Sequence, residues 1–109
     1  MRRPHDFYET PAWQTHALLR EQPDIGGVIL DPCVGTGSIA GLLPGVITND
    51  WDTTHPADFH LDAAGPEVYA AAGPVDWVIT NPPYRMPLCL DIVARAVRRS
   101  NSARALASS

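Results

Sequence analysis

The stretch from Val75 to Tyr84, Val-Asp-Trp-Val-Ile-Thr-Asn-Pro-Pro-Tyr, constrains this chain more than any other. Trp77, Val78 and Ile79 form an apolar, β-prone run, the pattern of a strand buried on both faces. Pro82 and Pro83 stop it, because proline has no N–H to give the ladder and Pro82 drives Asn81 into an extended or turn conformation. The strand therefore ends in a carboxamide, two carbonyls and an aromatic ring, all held rigidly. In an open α/β sheet, ligands bind beyond the C-terminal ends of the strands.

The rest of the chain alternates in a way that suits such a sheet. Thr10 is placed to cap a helix that starts at Pro11 and runs to Arg20, with Trp13, Ala17 and Leu18 on one face. Val28 to Leu30 reads as a short buried strand, and residues 31–38 turn out of it into a short helix from Ile39 to Leu43. Val46 to Thr48 reads as a second strand and Phe59 to Leu61 as a weak third. Pro66 to Ala72 reads as a helix with Gly73 beyond its end. A last helix is expected from Pro87 to about Arg99, burying Cys89, Ile92, Val93, Ala96 and Val97. Residues 100–109 are small and polar and read as a flexible tail. Alternating strands and helices imply a parallel sheet with right-handed crossovers.

Composition narrows the function classes. At 109 residues and 45% hydrophobic content, the chain suits one small globular domain and not a disordered segment. No apolar run approaches the ~20 residues of a membrane helix. The segment Met1 to Asp6 has no apolar stretch behind it, so no secretory signal is expected and the cytoplasm is the simplest location. Cys33 and Cys89 fit no metal spacing and read as reduced, buried thiols. The net charge of −4 does not suit a free-standing nucleic-acid binder. Yet from Arg85 onward Arg85, Arg95, Arg98, Arg99 and Arg104 face a single acid, Asp91. That basic end suits phosphate, and equally suits a solvated helix face.

Three groups of residues carry chemistry. Gly35 and Gly37 sit in the turn from a strand to a helix, where a backbone free of Cβ atoms approaches a ligand closely. The turn is not G-x-G-x-x-G and has no phosphate-gripping Lys. Asp31 beside it repels phosphate and suits a cationic ligand. Asp50, at the end of the second strand, is placed for ribose hydroxyls, although Asn-Asp is also an ordinary turn pair. Asn81 and the Pro82 carbonyl together make two acceptors for the hydrogens of an exocyclic amino group, with Tyr84 placed to stack on its ring. His60-Leu61-Asp62 has the His-x-Asp spacing of an iron site, but no second His follows His60 to complete it.

Asn81, Pro82, Pro83 and Tyr84 resemble the Asn-Pro-Pro-Tyr motif of S-adenosylmethionine-dependent DNA adenine-N6 methyltransferases. Asp31-Pro32-Cys33-Val34-Gly35-Thr36-Gly37 is similar to the Asp-Pro-x-x-Gly-x-Gly cofactor motif of that family. Phe7 to Pro11 resembles the segment that wraps the methionine end of the cofactor, which places Tyr8 and Thr10 there. The resemblance spans residues 7–99 and implies a Rossmann-like methyltransferase fold. It also implies that Asp50 binds the ribose, that Trp51 packs on the cofactor adenine, and that Asp62 accepts from its amino group. For Asp62 a plain turn role stays open. The implied reaction is direct methyl transfer to N6 of an adenine flipped from duplex DNA, in a restriction or phage setting, with Asn81 and Pro82 stabilising charge on the amine.

Family members continue with further strands and a DNA-selecting segment, whereas this sequence supplies about four strands, in order 3-2-1-4. Residues 1–99 then form the N-terminal part of the domain, and the strand of Trp77 presents an open edge. Such an edge invites a missing C-terminal half, a homodimer partner or aggregation. The readings left open are an active adenine methyltransferase, a non-catalytic cofactor-binding fragment, and an enzyme acting on a glutamine amide or an RNA base.

Overall fold

The structure, a computed structural model, describes residues 10–81 and 100–105. It is a small α/β fold built on an all-parallel sheet: β1 is Ile29–Asp31, β2 Ile47–Thr48, β3 Val75–Thr80 and β4 Ser100–Ala105. Their order across the sheet is β2-β1-β3-β4. Helix α1 covers Ala12–Glu21 and helix α2 covers Glu67–Ala72, with one 3₁₀ turn at Ala40–Leu42.

The apolar run in β3 is continuous because the sheet is covered on both sides. Leu30, Val75 and Val78 pack against Val68 and Tyr69 of α2. Ile29, Trp77 and Ile79 point to the other face, where they meet Leu18 of α1 and Ile39. Side chains alternate along a strand, so every residue of the run is buried by one cluster or the other. The chain leaves β1 for β2 on one side and returns past β1 to β3 on the other. Crossovers of one hand then lie on opposite faces, as the two clusters do. Between β1 and β3 the strand order reverses, and such a switch point opens a crevice at the strands' C-terminal ends.

Several expectations need correction. Trp13 does not join the buried face of α1; it is 64% exposed, and the helix buries Thr15 and Leu18. Only Leu18, more than a turn away, reaches the sheet cluster. Thr10 does not cap α1 either, since Pro11 stands at the N-cap without a side-chain bond. The expected third strand reduces to one parallel bridge, Phe59 to Asn49. The short helix after the glycine turn is the single 3₁₀ turn, and Cys33 is only half-buried. Residues 100–105, read as tail, pair with β3 from Val75↔Ser100 to Thr80↔Ala105. Ser-Asn-Ser-Ala-Arg-Ala carries no apolar signal for a strand. The N–H and C=O row along β3 requires a partner whatever its side chains are, and this segment takes the edge that the sequence left open. The helix expected over 87–99, with Cys89, lies outside the described residues. Among the described residues no helix is long and apolar enough to cross a membrane.

Entry into the sheet is fixed at Gly27, whose φ is +76°. Asp76 Oδ2 accepts the Val28 N–H at 2.9 Å, and a Cβ on Gly27 would collide with that same oxygen. Gly27→Ala should therefore destabilise the fold by ~1–3 kcal/mol through backbone strain and a broken bond. Urea denaturation checks it; a change within error would show that the turn relaxes freely.

Candidate functional site

Parallel strands place the ends of β1, β2 and β3 at one edge of the sheet, and the residues with chemistry collect there. Asp31 closes β1 and is fully buried. Its Oδ1 accepts from Thr80 Oγ1 at 2.6 Å, across 49 residues of sequence, and from the Cys33 N–H at 3.1 Å. Its Oδ2 is buried and has no hydrogen-bond partner among the described residues. Burial pushes the Asp31 carboxyl up to about 7; the Thr80 and Cys33 bonds oppose that rise and the Asp50 charge adds to it. A carboxyl perturbed in this way, at a switch point, makes this edge the candidate site.

The turn after Asp31 uses both glycines at positive φ, Gly35 at 58° and Gly37 at 88°. A Cβ at Gly37 would meet nothing within 4 Å, so backbone conformation selects glycine there. The Gly35 N–H points at Asp50 Oδ2, 2.8 Å away. Asp50 Oδ1 accepts from the Asp52 N–H at 2.9 Å, and His55 Nδ1 lies 3.3 Å from Asp50 Oδ2. The loop amide is thus already matched to a carboxylate, and two acids flank the turn. This arrangement disfavours a phosphate and favours hydroxyl or cationic groups.

Asn49, which sequence reasoning passed over as half of a turn pair, organises the edge. It is fully buried. Its Nδ2 donates to the Pro32 and Leu61 carbonyls, each at 2.9 Å, and its Oδ1 accepts from the Leu61 N–H at 2.9 Å. The brace ties the glycine turn, β2 and the segment before Asp62 together. Asp62 itself is exposed and closes a turn through the Ala64 N–H. Its carboxylate stands beside the braced segment. Trp51, next to Asp50, is 65% exposed. His60 Nδ1 donates to the Asp50 carbonyl at 3.0 Å.

At the end of β3, Asn81 Nδ2 donates to Thr10 Oγ1 at 3.0 Å. That bond brings the segment before α1 to the carboxamide, 71 residues away. The expected edge is therefore assembled from Thr10, Asp31, Pro32, Gly35, Gly37, Asp50 and Asn81. Tyr8, Pro82, Pro83 and Tyr84 lie outside the described residues. Among the described residues no group of three or more His, Cys, Asp or Glu side chains is placed to hold a metal ion. Thr80 was also missed, since a threonine ending an apolar run reads simply as a strand residue.

In comparisons with known proteins, no family model, no curated protein and no solved structure matches this chain.

Asp31 gives the edge a pH signature. Its folded pKa lies above the ordinary aspartate value of 3.8, so its contribution is most favourable below that value. It is lost as pH rises through the folded pKa of about 7. Asp31→Asn keeps an oxygen for Thr80 and Cys33 and does not ionise. Relative to wild type, this variant should gain roughly 2–4 kcal/mol of stability between pH 4 and pH 8. Denaturation at both pH values measures the gain; a pH-independent difference would mean that Asp31 ionises normally in the fold.

Proposed function

We propose that this chain binds S-adenosylmethionine at the crevice between β1 and β3 and transfers its methyl group to N6 of adenine in DNA. The observation that carries this reading is the buried Asp31 oxygen without a hydrogen-bond partner among the described residues, beside a glycine loop already matched to an acid. A dinucleotide brings phosphate to such a loop, whereas S-adenosylmethionine brings an ammonium, a sulfonium and ribose hydroxyls.

The residues present fit that group. Asp31 Oδ2 offers a buried acceptor to the ammonium. Asp50 accepts from Gly35 at Oδ2, with His55 beside that oxygen, and from Asp52 at Oδ1, which leaves acceptor capacity for a ribose hydroxyl. Exposed Trp51 supplies a face for adenine, with Asp62 at the neighbouring turn. Tyr8 and Thr10 come from the segment that would close over the methionine end. The finer fold reading follows: a Rossmann-like methyltransferase sheet in order 3-2-1-4, with the Phe59 bridge as its third strand.

When bound, S-adenosylmethionine supplies an electrophilic methyl on sulfur. The chain's own part is to hold and polarise the acceptor. An exocyclic amine conjugated into a ring is a poor nucleophile. Asn81 Oδ1 and the Pro82 carbonyl would accept its two hydrogens, favour the pyramidal nitrogen and stabilise the charge that develops there as the methyl's bond to sulfur breaks; the neutral thioether would leave, and the methylated amine would give one proton to solvent. Tyr84 stacks on the extruded base. Positioning supplies the remainder of the rate, and no covalent enzyme intermediate is needed. Arginines between Arg85 and Arg104 supply the proposed contact to DNA phosphate.

Two substitutions test the reading. Asp50→Ala should weaken S-adenosylmethionine binding by ~1.5–3 kcal/mol, read by calorimetry. Asn81→Ala should leave that affinity intact while methyl transfer to duplex DNA falls ~100–1,000-fold, read with a labelled methyl group. Wild type without affinity for S-adenosylmethionine would refute the binding site. Undiminished transfer by Asn81→Ala would refute the mechanism.

A further inference from the structure

Resting on the methyltransferase reading, we infer that Thr10 is a positioning residue for Asn81, anchoring the carboxamide at the end of β3 by a hydrogen bond across 71 residues of sequence. A carboxamide at the end of a strand has two nearly isosteric orientations that exchange donor for acceptor. Only the orientation that presents oxygen stabilises an amine gaining positive charge. Thr10 Oγ1 accepts from Asn81 Nδ2 at 3.0 Å, and in this arrangement the amide oxygen is left for the amine. Thr10 is itself 7% exposed, so water does not readily replace its hydroxyl.

The other side of Asn81 is held as firmly. Thr80, the preceding residue, is 2% exposed and donates to Asp31 at 2.6 Å. Two threonines thus clamp the residue, one through its backbone neighbour and one through its amide. Thr80 links it to the acid at the glycine turn, and Thr10 links it to the start of α1. Residue 10 was expected to cap that helix, but the cap carries no side-chain bond. The hydroxyl serves Asn81 instead. The N-terminal segment thereby reports to the acceptor side of the crevice, because whatever orders residues around Thr10 also orders the carboxamide.

The test compares Thr10→Val, which keeps the shape, with Thr10→Ser, which keeps the hydroxyl. The side-chain ¹H–¹⁵N pair of Asn81 is assigned by its loss in Asn81→Asp. In Thr10→Val this pair should move toward the positions of a solvated amide, while Thr10→Ser stays close to wild type. Methyl transfer to duplex DNA should lose ~10–100-fold in kcat in Thr10→Val, the scale of a misplaced catalytic group. Thr10→Ser should restore the rate. An Asn81 signal unmoved in Thr10→Val, or a Thr10→Ser variant as impaired as Thr10→Val, would overturn the inference. If wild type methylates nothing and the Asn81 signal still follows the hydroxyl, the methyl-transfer reading falls and the positioning role stands.

Discussion

One buried carboxamide holds the working edge of this fold together. Asn49 places every polar atom it owns. Its backbone N–H donates to the Asp31 carbonyl, and its backbone carbonyl accepts from Val34. Its side chain spans Pro32 and Leu61. A fully satisfied buried network is rigid, and a partly satisfied one is costly. The next residue, Asp50, is therefore aimed at Gly35 by a neighbour with no freedom to turn. The glycine loop, the ribose-binding candidate and the Leu61 segment are thus tied together by hydrogen bonds.

Asp31 stands against that rigid frame. Desolvation raises its proton affinity, and half of its hydrogen-bonding capacity is met by Thr80 and Cys33. The other oxygen has no partner among the described residues. Stability alone does not favour such a group, since burying an acid without compensation costs free energy. A cation delivered to Oδ2 offsets that cost and restores the carboxylate. The burial cost at Asp31 and the proposed ligand are linked, because an ammonium at Oδ2 would offset that cost and a phosphate would add to it.

Much of this was legible in the sequence because it rests on local signals. β3 was visible as an apolar run closed by prolines, and α2 as a segment between Pro66 and Gly73. The glycine turn and its flanking acids were visible by type and order. What escaped was long-range. Asn49 and Thr80 look like ordinary strand-end residues, and only the sheet shows that one braces three segments and the other binds an acid 49 residues away. Trp13 was misassigned because helical periodicity identifies a face without saying how far along the helix the packing extends. β4 was missed because the backbone edge of β3, and not its own side chains, specifies it. Thr10 was noticed for a nearby role, yet its partner lies at the far end of β3.

The most direct test of the account follows the carboxyl carbon of Asp31 by NMR through a pH titration, with and without S-adenosylmethionine. The account predicts titration near the raised value of about 7 for the free protein, and a fall toward the ordinary carboxylate range at saturating ligand, with release of a proton on binding. A carboxyl that titrates identically with and without S-adenosylmethionine would contradict it, because Asp31 Oδ2 would then not be where the ligand's cation sits.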